Sequence, residues 1–134
     1  MTWPAFIYLE DCSNCSPQQL NGFFQGWPNP PSPQTHLMLL QNSDHCILAL
    51  EQNSGKVVGF ITAITDHTLF AYISLVEVLP EFQNQGIGKA LVEKMLEKLK
   101  GLYSIDLLCD EDVQPFYRKF NFKASIHSGC FEHL

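Results

Sequence analysis

The stretch from Leu75 to Lys100, LVEVLPEFQNQGIGKALVEKMLEKLK, limits this chain to few architectures. A β-prone run, Leu75 to Val78, stops at Pro80. A polar turn, Gln83-Asn84-Gln85, leads into Gly86-Ile87-Gly88, and an amphipathic helix follows. In that helix Ile87, Leu91, Val92, Met95, Leu96 and Leu99 recur at helical spacing and define one buried face. Lys89, Glu93, Lys94, Glu97 and Lys98 take the opposite face, and Gly101 stands where the helix should end. Strand, glycine turn and helix start together present unpaired backbone N–H groups at the positive end of a helix dipole. Such a place suits an anion.

Two common phosphate loops are excluded. A Walker loop needs an earlier glycine and a Ser or Thr after its Gly-Lys, but Ala90 follows Lys89 and Glu81 to Gln85 hold no glycine. A dinucleotide fingerprint needs a third glycine where this chain has Leu91. What remains is Q-x-x-G-x-G, or a plain strand-to-helix turn.

The 134 residues suit one domain with one core, and the apolar content of 46 % is that of a globular protein. A net charge of −6 disfavours nucleic acid as a partner and weakly favours cationic amines. No apolar run is long enough to span a membrane. Met1-Thr2-Trp3-Pro4 shows no secretory pattern, so a cytoplasmic location is expected. Five cysteines, Cys12, Cys15, Cys46, Cys109 and Cys130, are then expected to be free thiols. Cys12 and Cys15 spell C-x-x-C, but without the second pair that a metal site wants; a redox motif and incidental thiols both remain.

In chain order, Ala5 to Leu9 reads as a strand. Ser16-Pro17 opens a helix with Leu20, Phe23 and Phe24 on its apolar face and Gly26 at its end. The proline-rich run Trp27 to Pro33 is stiff, and reads either as a connector or as a wall of a pocket. Ser32-Pro33 opens a second helix to about Gln41, with Leu37, Met38 and Leu40 as packing residues. His45–Leu50, Val57–Thr65 and Leu69–Val78 follow as strands, and Gly59 inside the second of them marks a bulge or a close contact. Ser104–Cys109 should run parallel to the strand before the central helix. A further helix is expected from an Asp112 cap, with Pro115 near its first turn, Tyr117 in its second and Asn121 in a left-handed exit. Phe122 to Leu134 supplies closing strands.

Gln83-Asn84-Gln85-Gly86-Ile87-Gly88, preceded by Val78-Leu79-Pro80, resembles the acetyl-CoA pyrophosphate loop of the GNAT superfamily of N-acetyltransferases. Phe116-Tyr117-Arg118-Lys119-Phe120-Asn121-Phe122 is similar to the F-Y-x-K-x-G-F ending of that fold, with Asn121 in place of the usual glycine. Asp110 stands where many members carry Asn. The resemblance covers nearly the whole chain and implies an α/β fold (α+β, a mixed central sheet flanked by helices) forming a single domain over 1–134. It implies acetyl-CoA as co-substrate, no metal, and transfer of an acetyl group to a primary amine, small-molecule or peptide, by direct attack in a ternary complex. It is compatible with a homodimer, with no nucleic acid and no membrane. Backbone groups of Val76, Glu77 and Val78 would pair with the pantetheine arm. N–H groups of Asn84, Gln85, Gly86, Ile87, Gly88 and Lys89 would hold the pyrophosphate, with Gln83 opening the turn. Lys89 reads equally as a phosphate contact and as a solvated helix residue. Tyr117 matches the tyrosine that protonates the departing thiolate, and a backbone N–H near Val78 would hold the oxyanion. For the general base, Glu77, Asp106, Asp110, His67 and a chain of waters stay open, with Glu77 the first candidate. A non-catalytic acyl-CoA-binding module of the same fold is the alternative.

Overall fold

The computed structural model describes residues 5–124 and the backbone of 130–133. Among them seven strands form one mixed sheet in the order β1-β2-β3-β4-β5-β7-β6. The strands are β1 (Phe6–Leu9), β2 (His45–Glu51), β3 (Val57–Thr65), β4 (Phe70–Val78), β5 (Ser104–Leu108), β6 (Lys123–Ala124) and β7 (Cys130–His133). Every neighbouring pair is antiparallel except β4 and β5, which are parallel. The parallel pair follows from the helix between them, because a strand that must cross over a helix returns in the same direction.

The central strands read as continuous apolar runs because the sheet is covered on both faces. On one side lies α2 (Ile87–Lys98), whose Ile87, Leu91, Val92 and Met95 pack on Ile47, Ala49, Val58 and Ile61. On the other, Leu20, Phe23, Phe24 and Leu40 pack on Leu48, Leu50 and Phe60. Gly59 resolves as a close contact: a Cβ there would come within 3.1 Å of Ile87, 3.2 Å of Leu91 and 3.3 Å of the Glu77 carbonyl. Its bare backbone lets α2 settle onto β3.

Several expectations are corrected. The segment after Ser16 holds a single 3₁₀ turn, Pro17–Leu20, in place of a helix to Gly26. Gly22 at φ 95° and Phe24 at φ 65° cannot continue a right-handed helix. Its apolar residues are nevertheless buried. Helix α1 (Pro33–Asn42) forms as its sequence predicts, with Ser32 Oγ accepting from the Thr35 N–H at 3.2 Å. Met38, however, is 60 % exposed, and the residue that turns inward is His36. Helix α3 (Gln114–Arg118) starts after a 3₁₀ turn, Glu111–Val113, so Asp110 takes the N-cap position of that turn and Val113 that of α3, neither with a side-chain cap bond, and Asp112 is not the cap. Asn121 does take the left-handed conformation, at φ 69°.

The cysteines also differ from the expectation of free thiols. Cys12 is joined to Cys46, while Cys15 and Cys109 are free. Cys12 and Cys46 are apolar, buried members of the same core beneath α1, and packing brings them together across a separation of 34 residues. The C-x-x-C spacing therefore makes no pair. The side chain of Cys130 lies outside the described residues. Among the described residues no helix is long and apolar enough to cross a membrane.

Candidate active site

Strands β4 and β5 are paired only between Phe70–Ile73 and Ser104–Leu107. Past that point β4 keeps its β3 neighbour through Val78 but loses β5. A register shift between Thr62 and Ala63 leaves Ser74 as the extra residue of β4 just where the two strands part. Such a bulge bends its strand and increases the local twist. The Thr62 and Ser74 hydroxyls hydrogen-bond at 2.8 Å beside it. The result is a V-shaped cleft of about 1080 Å³. Ser74 to Val78 line one wall, Leu107 to Asp110, Phe116 and Tyr117 the other, and the glycine turn closes one end.

That turn is built as its sequence demands. Asn84 at φ 65° and Gly86 at φ 84° reverse the chain. The Gln83 side-chain amide donates to the Val78 carbonyl at 3.0 Å and clips the turn to the end of β4. The first helical hydrogen bond runs from the Ala90 N–H to the Gly86 carbonyl at 3.0 Å, so the N–H groups of Ile87, Gly88 and Lys89 point out of the helix start. A Cβ at Gly86 would meet nothing within 4 Å, which leaves open space in front of the turn. Gly88 is helical; its missing Cβ faces Phe116 at 3.6 Å and Val78 at 3.8 Å, inside the cleft. Concave space, helix N-terminus and bare backbone fit a pyrophosphate.

Of the expected cofactor residues, Val76, Val78, Gln83, Asn84, Gly86, Ile87, Gly88 and Lys89 line the cleft, whereas Gln85 does not. Lys89 is exposed and 3.9 Å from Glu93, one turn further along the helix.

Tyr117 sits across the cleft from β4, its ring against Phe116 and Phe122 at centroid distances of 5.0 and 5.9 Å. Burial, with a smaller contribution from the nearby Cys109, pushes its phenol up to about 12, so it keeps its proton at neutral pH. Glu77 and Asp110 line the cleft. The other two base candidates do not. Asp106 accepts from the Ser104 hydroxyl at 3.1 Å, and His67, in the β3–β4 turn, faces Asp44 at 3.6 Å.

Sequence reasoning missed the Ser74 bulge and the cleft position of Cys109. It also left Trp27 undivided from the prolines after it; only Trp27 reaches the cleft. Trp27 stands on an aromatic stack that runs through Phe24 (5.0 Å) and His36 (4.8 Å from Phe24) to Phe60 (4.4 Å from His36). His36 is 1 % exposed, and among the described residues neither ring nitrogen has a hydrogen-bond partner. Burial among these rings lowers its pKa to about 4. The unfolded chain therefore binds the proton first, and stability falls as pH drops from about 6.5 towards 4. Urea unfolding at pH 7 and pH 5 should differ by about 2 kcal/mol from this group. His36→Leu should remove most of that difference; an unchanged difference refutes the assignment.

The pattern that defines the acetyltransferase (GNAT) family matches residues 9–122. A crystal structure from Deinococcus radiodurans R1, assigned to the acetyltransferases, superposes with a TM-score of 0.87 at 38 % identity, covering 93 % of this chain and 89 % of that one. The histone acetyltransferase TAP1 of Glycine max is 34 % identical over 109 residues, 74 % of this chain and 47 % of its own length. An uncharacterized N-acetyltransferase, ycf52 of Porphyra purpurea, is 30 % identical over 122 residues, 87 % of this chain and 70 % of its own. The chain thus spans about half the length of the soybean relative. The parted strands, the glycine turn at their mouth and the family pattern across 9–122 agree, and the chain belongs to the GNAT acetyltransferase family.

Proposed function

We propose that this chain transfers an acetyl group from acetyl-CoA to a primary amine by direct attack in a ternary complex. One observation carries the reading: β4 leaves β5 directly above a glycine turn that opens a helix, with Tyr117 on the facing wall. Among the described residues the edge of β4 from Ser74 to Val78 has no strand partner on the β5 side, so its backbone is available to an extended ligand. The pantetheine arm matches that need, with Val76 and Val78 as its partners. The pyrophosphate then meets the N–H groups from Asn84 to Lys89, and the thioester lies between β4 and Tyr117. A backbone N–H near Val78 faces the developing oxyanion. The Tyr117 hydroxyl faces the leaving sulfur, to which it offers its proton.

The acceptor enters from the end bounded by Trp27, Glu77 and Asp110. Two carboxylates lie in the lining there, and the whole chain carries a net charge of −6, which favours a cationic amine. The relative named as a histone acetyltransferase extends the acceptor class from small amines to basic peptides.

Single-turnover mixing of acetyl-CoA with a panel of polyamines, amino acids and basic peptides tests this reading. Free CoA thiol and N-acetyl product should form together, in equal amounts. Tight acetyl-CoA binding with no transfer to any amine would instead support a non-catalytic acyl-CoA-binding module.

A further inference from the structure

We propose that Glu77 is a positioning residue: its carboxylate clasps the Phe24–Gln25 backbone and so fixes Trp27 as the wall that selects the acceptor. The inference rests on the acyl-transfer reading of the cleft. Glu77 lies on β4 opposite Phe60 of β3 and lines the cleft. The Phe24 N–H donates to both carboxylate oxygens, at 2.9 and 3.0 Å, and the Gln25 N–H donates to one of them at 3.3 Å. These bonds link segments 53 and 52 residues apart in the chain. They hold a turn that does not hold itself well, since Phe24 is a non-glycine residue at φ 65°. Charge-assisted bonds from backbone N–H groups are strong enough to fix such a conformation.

The turn sets the place of Trp27. The Trp27 N–H donates to the Phe24 carbonyl at 3.2 Å, and the two rings meet at 5.0 Å. Trp27 is 48 % exposed, and that exposed part borders the cleft. Behind it Phe24, His36 and Phe60 form a support without hydrogen bonds to the imidazole. An ammonium group entering here meets an exposed indole in a cleft that a carboxylate also lines, which suits a cation on an apolar or extended body. Three backbone N–H bonds already occupy most of the acceptor sites of the Glu77 carboxylate, so taking a proton from the acceptor would weaken the clasp. Deprotonation then falls to Asp110 or to water.

The test uses Glu77→Gln, which keeps the shape but can accept through one atom only. With an amine found by the panel, its KM should rise about tenfold or more while kcat falls less than about threefold. The acid limb of the pH profile of kcat/KM should persist, and the Kd for acetyl-CoA should hold. Trp27→Ala should raise KM similarly, and the double variant should add little. A fall in kcat of about 100-fold with loss of the acid limb would make Glu77 the base and overturn the proposal. A second readout needs no activity. In a Trp3→Phe background Trp27 is the remaining tryptophan. Its fluorescence should be quenched more readily by acrylamide once Glu77 is Gln. Unchanged quenching overturns the proposal even if no amine is ever acetylated.

Discussion

Replacing Tyr117 with Phe should lower the rate constant of acetyl transfer by about 100-fold or more, the usual scale for losing a proton donor in the transition state. The substitution removes one oxygen and keeps the ring packed against Phe116 and Phe122. The pyrophosphate turn is untouched, so the Kd for acetyl-CoA should stay within a few-fold. Burial shapes the rest of the result. A thiol has a pKa of roughly 8.5, well below the value of about 12 for this phenol, so full transfer to the thiolate is uphill in the site as it stands. The hydroxyl acts best as a strong hydrogen-bond donor while negative charge grows on sulfur. A thioester whose thiol is more acidic carries less of that charge and should lose less from the substitution. Stopped-flow single turnovers with two thioesters would measure both effects. Equal rates for wild type and variant would reduce Tyr117 to a packing residue. A raised Kd with an unchanged rate would make it a cofactor contact.

Replacing Gly88 with Val should weaken acetyl-CoA binding by about 100-fold or more, the cost of losing one or two charge-assisted hydrogen bonds. Gly88 is helical, so the backbone conformation itself accepts a side chain. A first carbon would sit in ordinary contact with Phe116 and Val78. The two further methyl groups of Val must then enter the cleft in front of the turn. Gly88→Ala should therefore bind nearly as wild type, and the contrast between Ala and Val separates lost space from lost flexibility. Gly86→Ala should fail differently. It has open space but a left-handed φ of 84°, so it strains the turn and costs stability along with affinity. Calorimetry with acetyl-CoA, beside thermal unfolding of each variant, distinguishes the two. Normal binding by Gly88→Val would show that the pyrophosphate lies elsewhere.

Features set by local chemistry were legible in the sequence. The turn at Gln83–Gly88, the cap at Ser32 and the left-handed Asn121 depend on residues next to one another, and they formed as read. The parallel placement of β5 follows from the crossover helix and was equally visible. What escaped depends on partners distant in the chain. Helical spacing of Leu20, Phe23 and Phe24 suggested a helix, yet the Glu77 carboxylate, more than fifty residues away, holds that segment as a turn. Met38, expected to pack, is exposed, and His36 is buried because Phe23, Phe24 and Phe60 supply a pocket for a flat ring on that side of α1. The pairing of Cys12 with Cys46 depends on one core drawing both inward, and spacing along the chain carries no sign of it. Among the acids, only the fold distinguishes Glu77 and Asp110, in the cleft, from Asp106 outside it.

The parting of β4 from β5 leaves a sheet edge inside the molecule, between Ser74 and Val78. Exposed edges invite pairing with other chains, and on the proposed function the partner here is a small molecule, acetyl-CoA. Anything that binds only the folded form adds RT ln(1 + [L]/Kd) to its stability, about 2.7 kcal/mol at a hundred times Kd. If acetyl-CoA is the missing strand, as the proposed function has it, the donor of the acetyl group would also be a folding ligand. Depleting it slows transfer and, by the same linkage, lowers the free energy that keeps the protein folded. The amount of usable enzyme would then follow the supply of its own substrate.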